Sequence, residues 1–296
     1  MSGISTATWE HFCASVANPS PLVLNHQQQG KGDPLLLIHG FGESLYTWRH
    51  LVPGLAQRHH VIAIDLKGFG ASPKPDDDTY HVYEQARLVL QFIAHHDLRR
   101  LTVIGNSLGG GVALIVALYL NQHDPGRLQR LVLIGSVAYP QPLPWFVRLP
   151  AMPIIGPLSL TLLPDRLLIR SVLAFAYFDD DAVPDDAVDV YARNLGSPAS
   201  RRALVATARQ VVPADIDRLS KRYPRIGQPT LIIWGRQDRI VPLWVGQRLD
   251  ASLPDSRLVV LEDTGHVPQE ERPTQTQAVI DEFLRTTGAN SDRMAP

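Results

Sequence analysis

The chain is nearly devoid of cysteine: Cys13 stands alone among 296 residues. A single thiol excludes an internal disulfide and leaves no partner for a thiolate zinc site, which fits a reducing compartment. Its helical spacing with Trp9, Phe12 and Val16 makes it a small hydrophobe on a short amphipathic helix. An excess of either charge is also missing, since 28 Lys and Arg stand against 29 Asp and Glu, a formal net charge of −1. No field therefore gathers nucleic acid or an anionic membrane, and neither is an expected partner. An uninterrupted hydrophobic run is lacking too. The most apolar region, Pro140 to Pro164, holds seven prolines and Arg148, which excludes a membrane span there. The opening "MSGISTATWEHFCASVANPS" has no basic start and no apolar h-region, so no signal or transit peptide is read and a cytoplasmic location is expected.

Several chemistries are excluded in the same way. No G-x-x-x-x-G-K-[ST] occurs, and "VIAIDLKGFGAS" supplies Gly68 and Gly70 of a dinucleotide fingerprint but Pro73 at its third glycine. His59-His60 and His95-His96 are adjacent pairs without zinc spacing, and Asp179, Asp180, Asp181, Asp185 and Asp186 lack the pattern of an EF-hand loop. These aspartates are read as a solvated face with helix-start acids. No metal and no cofactor is expected.

What the sequence does contain is a rhythm. Short apolar runs at 35–38, 61–64, 101–105, 131–135, 230–235 and 257–261 alternate with helical patterns such as "VYEQARLVLQFIAHH" and "GVALIVALYLNQ". Unbroken apolar strands separated by helices indicate an α/β fold with a mostly parallel, doubly wound sheet. The rhythm fails between about Ala138 and Pro224, so residues 1–137 and 225–296 are expected to form the core and 138–224 a helical lid over the carboxyl edge of the sheet.

At one strand end the text reads "LTVIGNSLGGG", a G-x-S-x-G pattern centred on Ser107 between a strand and a helix. A nucleophile elbow needs side-chain-poor neighbours, because the serine backbone is strained in a sharp turn. Such a serine requires a base, and the base an orienting acid. Asp238 follows the strand "TLIIWG" and His266 follows "RLVVL", each just beyond a strand end and in the chain order Ser, Asp, His. Glu262 and Asp263 are the competing acids, crowded into the histidine's own loop. Oxyanion donors are expected from the backbone N–H of Leu108, after the nucleophile, and of Phe41 in "HGFGES". His39 is read as a structural hydrogen-bonding residue, and Asp65 as one that fixes loops.

These residues resemble the α/β-hydrolase superfamily from about Leu35 to Leu284. "HGFGES" resembles its oxyanion turn, "DLKGFGAS" its D-x-x-G-x-G-x-S loop, "GNSLGG" its elbow and "GHVPQEERP" its histidine loop. "HGFGESLYTWR" is similar to epoxide hydrolases and haloalkane dehalogenases, whose nucleophile is aspartate; Ser107 argues against both activities. "GNSLGG" also looks like the elbow of serine hydrolases that cleave carbon–carbon bonds in ring-fission products. Glu43-Ser44 and Val267 depart from those enzymes, which usually carry Pro-Gly and Trp there. Lys67 replaces a common arginine and has no functional reading.

The resemblance implies a serine hydrolase. The expected reaction is cleavage of a small-molecule hydrophobic acyl or aryl ester through an acyl-enzyme, with Phe41, Asn106, Trp145 and Phe146 as substrate-binding residues. Carbon–carbon bond hydrolysis of a ring-fission diketone is the alternative. A non-catalytic ligand-binding member of the fold is a third.

Overall fold

The computed structural model describes residues 8–291. Seven strands form one sheet: β1 (His26–Gln29), β2 (Pro34–Ile38), β3 (His60–Ile64), β4 (Leu101–Asn106), β5 (Leu128–Ile134), β6 (Thr230–Gly235) and β7 (Ser256–Leu261). Their spatial order is β1-β3-β2-β4-β5-β6-β7, all parallel except β1, which runs antiparallel to β3. The six apolar runs of the sequence are β2 to β7. The seventh strand, "HQQQ", shows no apolar alternation because it is an edge whose side chains are mostly exposed.

Alternation along each inner strand feeds two cores. Leu36 and Ile38 of β2 join Val103, Leu131 and Leu133 on the face covered by helices Val82–His95 and Leu108–His123. Leu35 and Leu37 join Ile104, Val132 and Ile134 on the other face, against Trp48, Leu51, Ile280 and Phe283. Both faces being buried, the strands read as continuous apolar runs rather than as alternation.

Between β5 and β6 the chain leaves the sheet and forms helices Trp145–Ala151, Ile155–Leu162, Asp165–Ala176, Asp185–Leu195, Pro198–Gln210 and Ile216–Ser220. Polar ties hold this insertion to loops at the carboxyl ends of the strands. Tyr177 and Tyr191 donate hydroxyl hydrogen bonds to the buried Glu270 (3.1 and 2.7 Å), and Tyr46 donates to Asp186 (2.8 Å). Glu270 also accepts from Thr47 and Arg49, at 2.8 and 2.6 Å, so its desolvated charge is matched by several donors. Among the described residues no helix is long and apolar enough to cross a membrane.

Candidate active site

Ser107 sits where β4 turns into helix Leu108–His123, with φ +54° and ψ −118°. A non-glycine residue there is strained by about 1–3 kcal/mol and persists only where its surroundings over-determine it. Here they do: the Ser107 N–H donates to the Ile134 carbonyl (3.0 Å), and its own carbonyl accepts from Gly110, Gly111 and Val137 (3.0, 3.2 and 3.1 Å). The neighbouring glycines permit close backbone approach. A Cβ on Gly109 would lie 2.1 Å from the Ile38 carbonyl oxygen, and one on Gly105 would lie 2.4 Å from that of Gly109.

Asp238 lies in the loop after β6. Its Oδ1 accepts from the Ile240 and Val241 N–H groups (2.8 and 2.9 Å), which fixes the carboxylate, and its Oδ2 accepts from His266 Nδ1 at 2.8 Å. With Nδ1 as donor, the neutral imidazole keeps its lone pair on Nε2, the form a general base needs. Burial pushes the His266 pKa down, but the Asp238 charge and hydrogen bond, with Glu43 and Glu271 beyond, outweigh it and leave the group above its ordinary value. The competing acids stand elsewhere: Glu262 pairs with Arg236 at 2.8 Å and both it and Asp263 are exposed.

Ser107, His266, Phe41 and Leu108 all line one cavity under the insertion. Leu108 is the first residue of its helix, where backbone N–H groups have no intrahelical acceptor. The turn that carries Phe41 is held by His39. Its Nε2 accepts from the Leu66 N–H (3.0 Å), so Nδ1 bears the proton and donates to the Gly40 carbonyl (2.8 Å). Burial holds this imidazole below its ordinary pKa, against the Asp65 charge. Asp65 accepts from Leu45 N, Asn25 Nδ2 and Ala71 N (2.7, 2.7 and 2.8 Å) and so ties three loops. Lys67 is buried outside the cavity, its Nζ bonded to both Asp77 carboxylate oxygens and to the Thr79 carbonyl.

The insertion supplies most of the cavity wall. Phe146 packs between Phe41 and Phe175 (ring centroids 6.5 and 6.4 Å apart), and Trp145, 39% exposed, lies edge-on to it at the mouth. Asn106 corrects the sequence reading. It is fully buried behind the elbow, where its Nδ2 donates to the Ile134 and His266 carbonyls (3.0 and 3.3 Å), and it does not line the cavity.

Residues 33–273 match the family model described as alpha/beta hydrolase fold. The chain belongs to the α/β-hydrolase fold family. It is 28% identical to the hydrolase YugF of Bacillus subtilis, over 88% of this chain and 93% of that one. It is also 28% identical to 2-hydroxymuconate semialdehyde hydrolase of a Pseudomonas species, over 90% and 91%. Among solved structures, the 2-hydroxy-6-oxo-6-phenylhexa-2,4-dienoate hydrolase of a Rhodococcus species superposes with a TM-score of 0.77 at 26% identity, covering 90% of this chain and 96% of that one.

In this hydrolase two carboxylates near the site escaped the sequence reading. Glu270 gathers the hydroxyls of the insertion onto the core, as described above. Glu43, noticed in the sequence only as a departure from Pro-Gly, lines the cavity and accepts the Gly40 N–H at 2.8 Å. Its spacing from Gly40 was legible, but its nearness to Ser107 depends on β2 and β4 being neighbours in the sheet.

Proposed function

We propose that this hydrolase cleaves hydrophobic carboxylic esters through Ser107, His266 and Asp238. The observation that carries the reading is a strained serine sharing one apolar cavity with a histidine locked by a buried carboxylate. Ser107 Oγ attacks the ester carbonyl while His266 Nε2 takes its proton. Asp238 stabilises the imidazolium that forms and holds the tautomer, which removes the need for reorganisation during the step. The oxyanion is received by the N–H groups of Phe41 and Leu108, helped by the helix N-terminus. His266 then returns the proton to the leaving alcohol, and water releases the acyl group by the reverse sequence.

Residues 138–224 act in this reading as a lid. Trp145, Phe146, Leu149, Leu160 and Leu173 present apolar surface to the cavity, which suits an apolar acyl or aryl group. A second reading is favoured by the similarity to the dienoate hydrolase: Ser107 or an activated water would cleave a carbon–carbon bond of a ring-fission product. Turnover of p-nitrophenyl esters beside such a dienoate separates the two. The proposal expects the larger kcat/KM for the ester; turnover of the dienoate alone would replace it with the second reading.

A further inference from the structure

The wall of the cavity is almost free of charge. Among the described residues no Lys or Arg lines it, and its ionisable carboxyl group is Glu43. This residue follows the tight turn Gly40–Phe41–Gly42, and its Oε2 holds the Gly40 N–H. A Cβ placed on Gly40 would lie 3.0 Å from Ser107 Cβ and 3.2 Å from Glu43 Oε2. The carboxylate and the serine side chain therefore both stand against the Gly40 Cα, closer than a side chain at that position would allow.

We propose that Glu43 is a specificity-determining residue, which makes the site accept uncharged substrates and reject those carrying a carboxylate in the acyl group. The inference rests on Ser107 being the nucleophile, and it names the charge class of what Ser107 attacks. Dienoate-type acids fall in the rejected class, because with His266 neutral, as the reaction needs it, the wall offers no Lys or Arg to pair with their carboxylate and one group that opposes it.

The groups facing Glu43 come from several elements. Gly40 supplies a donated N–H from its own turn, His266 faces it from the loop after β7, and Glu270 from helix Pro268–Glu271. The Tyr191 hydroxyl, from helix Asp185–Leu195, is engaged with Glu270, and the Asn194 amide, from that same helix, with Ser44 Oγ at 3.1 Å. Arg49 is committed to Glu270. Burial pushes the Glu43 carboxyl up to about 7 and Glu270 adds to this, against the Gly40 N–H and His266. An anion can enter beside it once Glu43 has taken up a proton. Below that value the proton is already present; above it, uptake costs up to about tenfold per pH unit.

The test is the ratio of kcat/KM for p-nitrophenyl hexanoate to that for mono-p-nitrophenyl adipate, which differ by a terminal methyl against a carboxylate. Protonation of His266 in the free enzyme affects both esters alike and cancels in the ratio. For the wild type the ratio is expected to rise about twentyfold between about pH 6.5 and about pH 8.5. In Glu43→Gln it is expected to stay flat, with any preference that comes from apolar burial alone retained at all pH values. A wild-type ratio independent of pH overturns the proposal, as does a rise that survives in Glu43→Gln. The wild-type series decides by itself if the variant does not fold. Loss of the Ser107 reading has a different signature: Ser107→Ala would then hydrolyse both esters at the wild-type rate.

Discussion

Asp238 splits its two carboxylate oxygens between tasks: Oδ1 is held by the N–H groups of Ile240 and Val241, and Oδ2 receives His266 Nδ1 at 2.8 Å. One oxygen fixes the loop and the other fixes the imidazole, so the side chain is not free to swing away when the histidine charges. That division separates Asp238 from the acids in the histidine's own loop.

Asp238→Asn is expected to keep the fold and lower kcat by about ten-thousandfold, since the amide imposes the wrong tautomer and offers no charge to the imidazolium. Asp263→Asn, on an exposed turn, is expected to stay near wild type. Steady-state kinetics on a p-nitrophenyl ester checks both. The reverse ranking would transfer the acid role to Asp263.

The acid limb of kcat/KM should lie above 6.5, the ordinary histidine value, because the charges around His266 outweigh its burial. As the proposed base, His266 would work only when neutral, so a raised pKa keeps it protonated to higher pH and activity is expected to fall as the pH drops through that value. Glu43 is one of the charges that raise it. In Glu43→Gln the limb is therefore expected to move to lower pH. A limb that stays in place would mean that Glu43 does not reach His266 electrostatically.

Gly109→Ala forces a Cβ to within 2.1 Å of the Ile38 carbonyl, and backbone on both sides must shift to admit it. The expected loss is about 1–3 kcal/mol or more, read as a lower Tm, with activity falling because β2 carries the Phe41 turn. Gly126→Ala serves as the control, since its Cβ would meet nothing within 4 Å. Equal Tm values for the two variants would contradict the packing account of the elbow.

A chain-length series tests the insertion as a lid. Each methylene buried against the apolar wall contributes up to about 0.8 kcal/mol until the cavity is full. kcat/KM is expected to rise from acetate to medium-chain esters, and the rise to flatten in Phe146→Ala, whose ring packs between Phe41 and Phe175. Trp145→Ala, at the more exposed mouth, should flatten only the longest members. Indifference to both changes would mean that these rings only pack the insertion onto the core.

The strand pattern was legible because burial on both faces writes itself as unbroken apolar runs; β1 was not, because an exposed edge strand has no such signature. The elbow glycines were legible for the same local reason, as each marks a contact that a side chain would block. Asn106 was misread because sequence adjacency to Ser107 does not say which way a side chain points: strand alternation sends it behind the elbow, toward the Ile134 carbonyl. Glu43 and Glu270 were illegible for a third reason. Their roles arise from partners far away in the chain, such as Tyr191 and Thr47, 79 and 223 positions from Glu270, and Ser107 beside the Glu43 turn, and no local spacing encodes those meetings.

The most direct measurement is active-site labelling with a fluorophosphonate, followed by peptide mapping and by ester turnover in Ser107→Ala. The account predicts a single adduct on Ser107 in the native protein, loss of labelling on unfolding, and loss of both adduct and turnover in the alanine variant. Full ester turnover by Ser107→Ala, or an adduct on another residue that tracks activity, would contradict it.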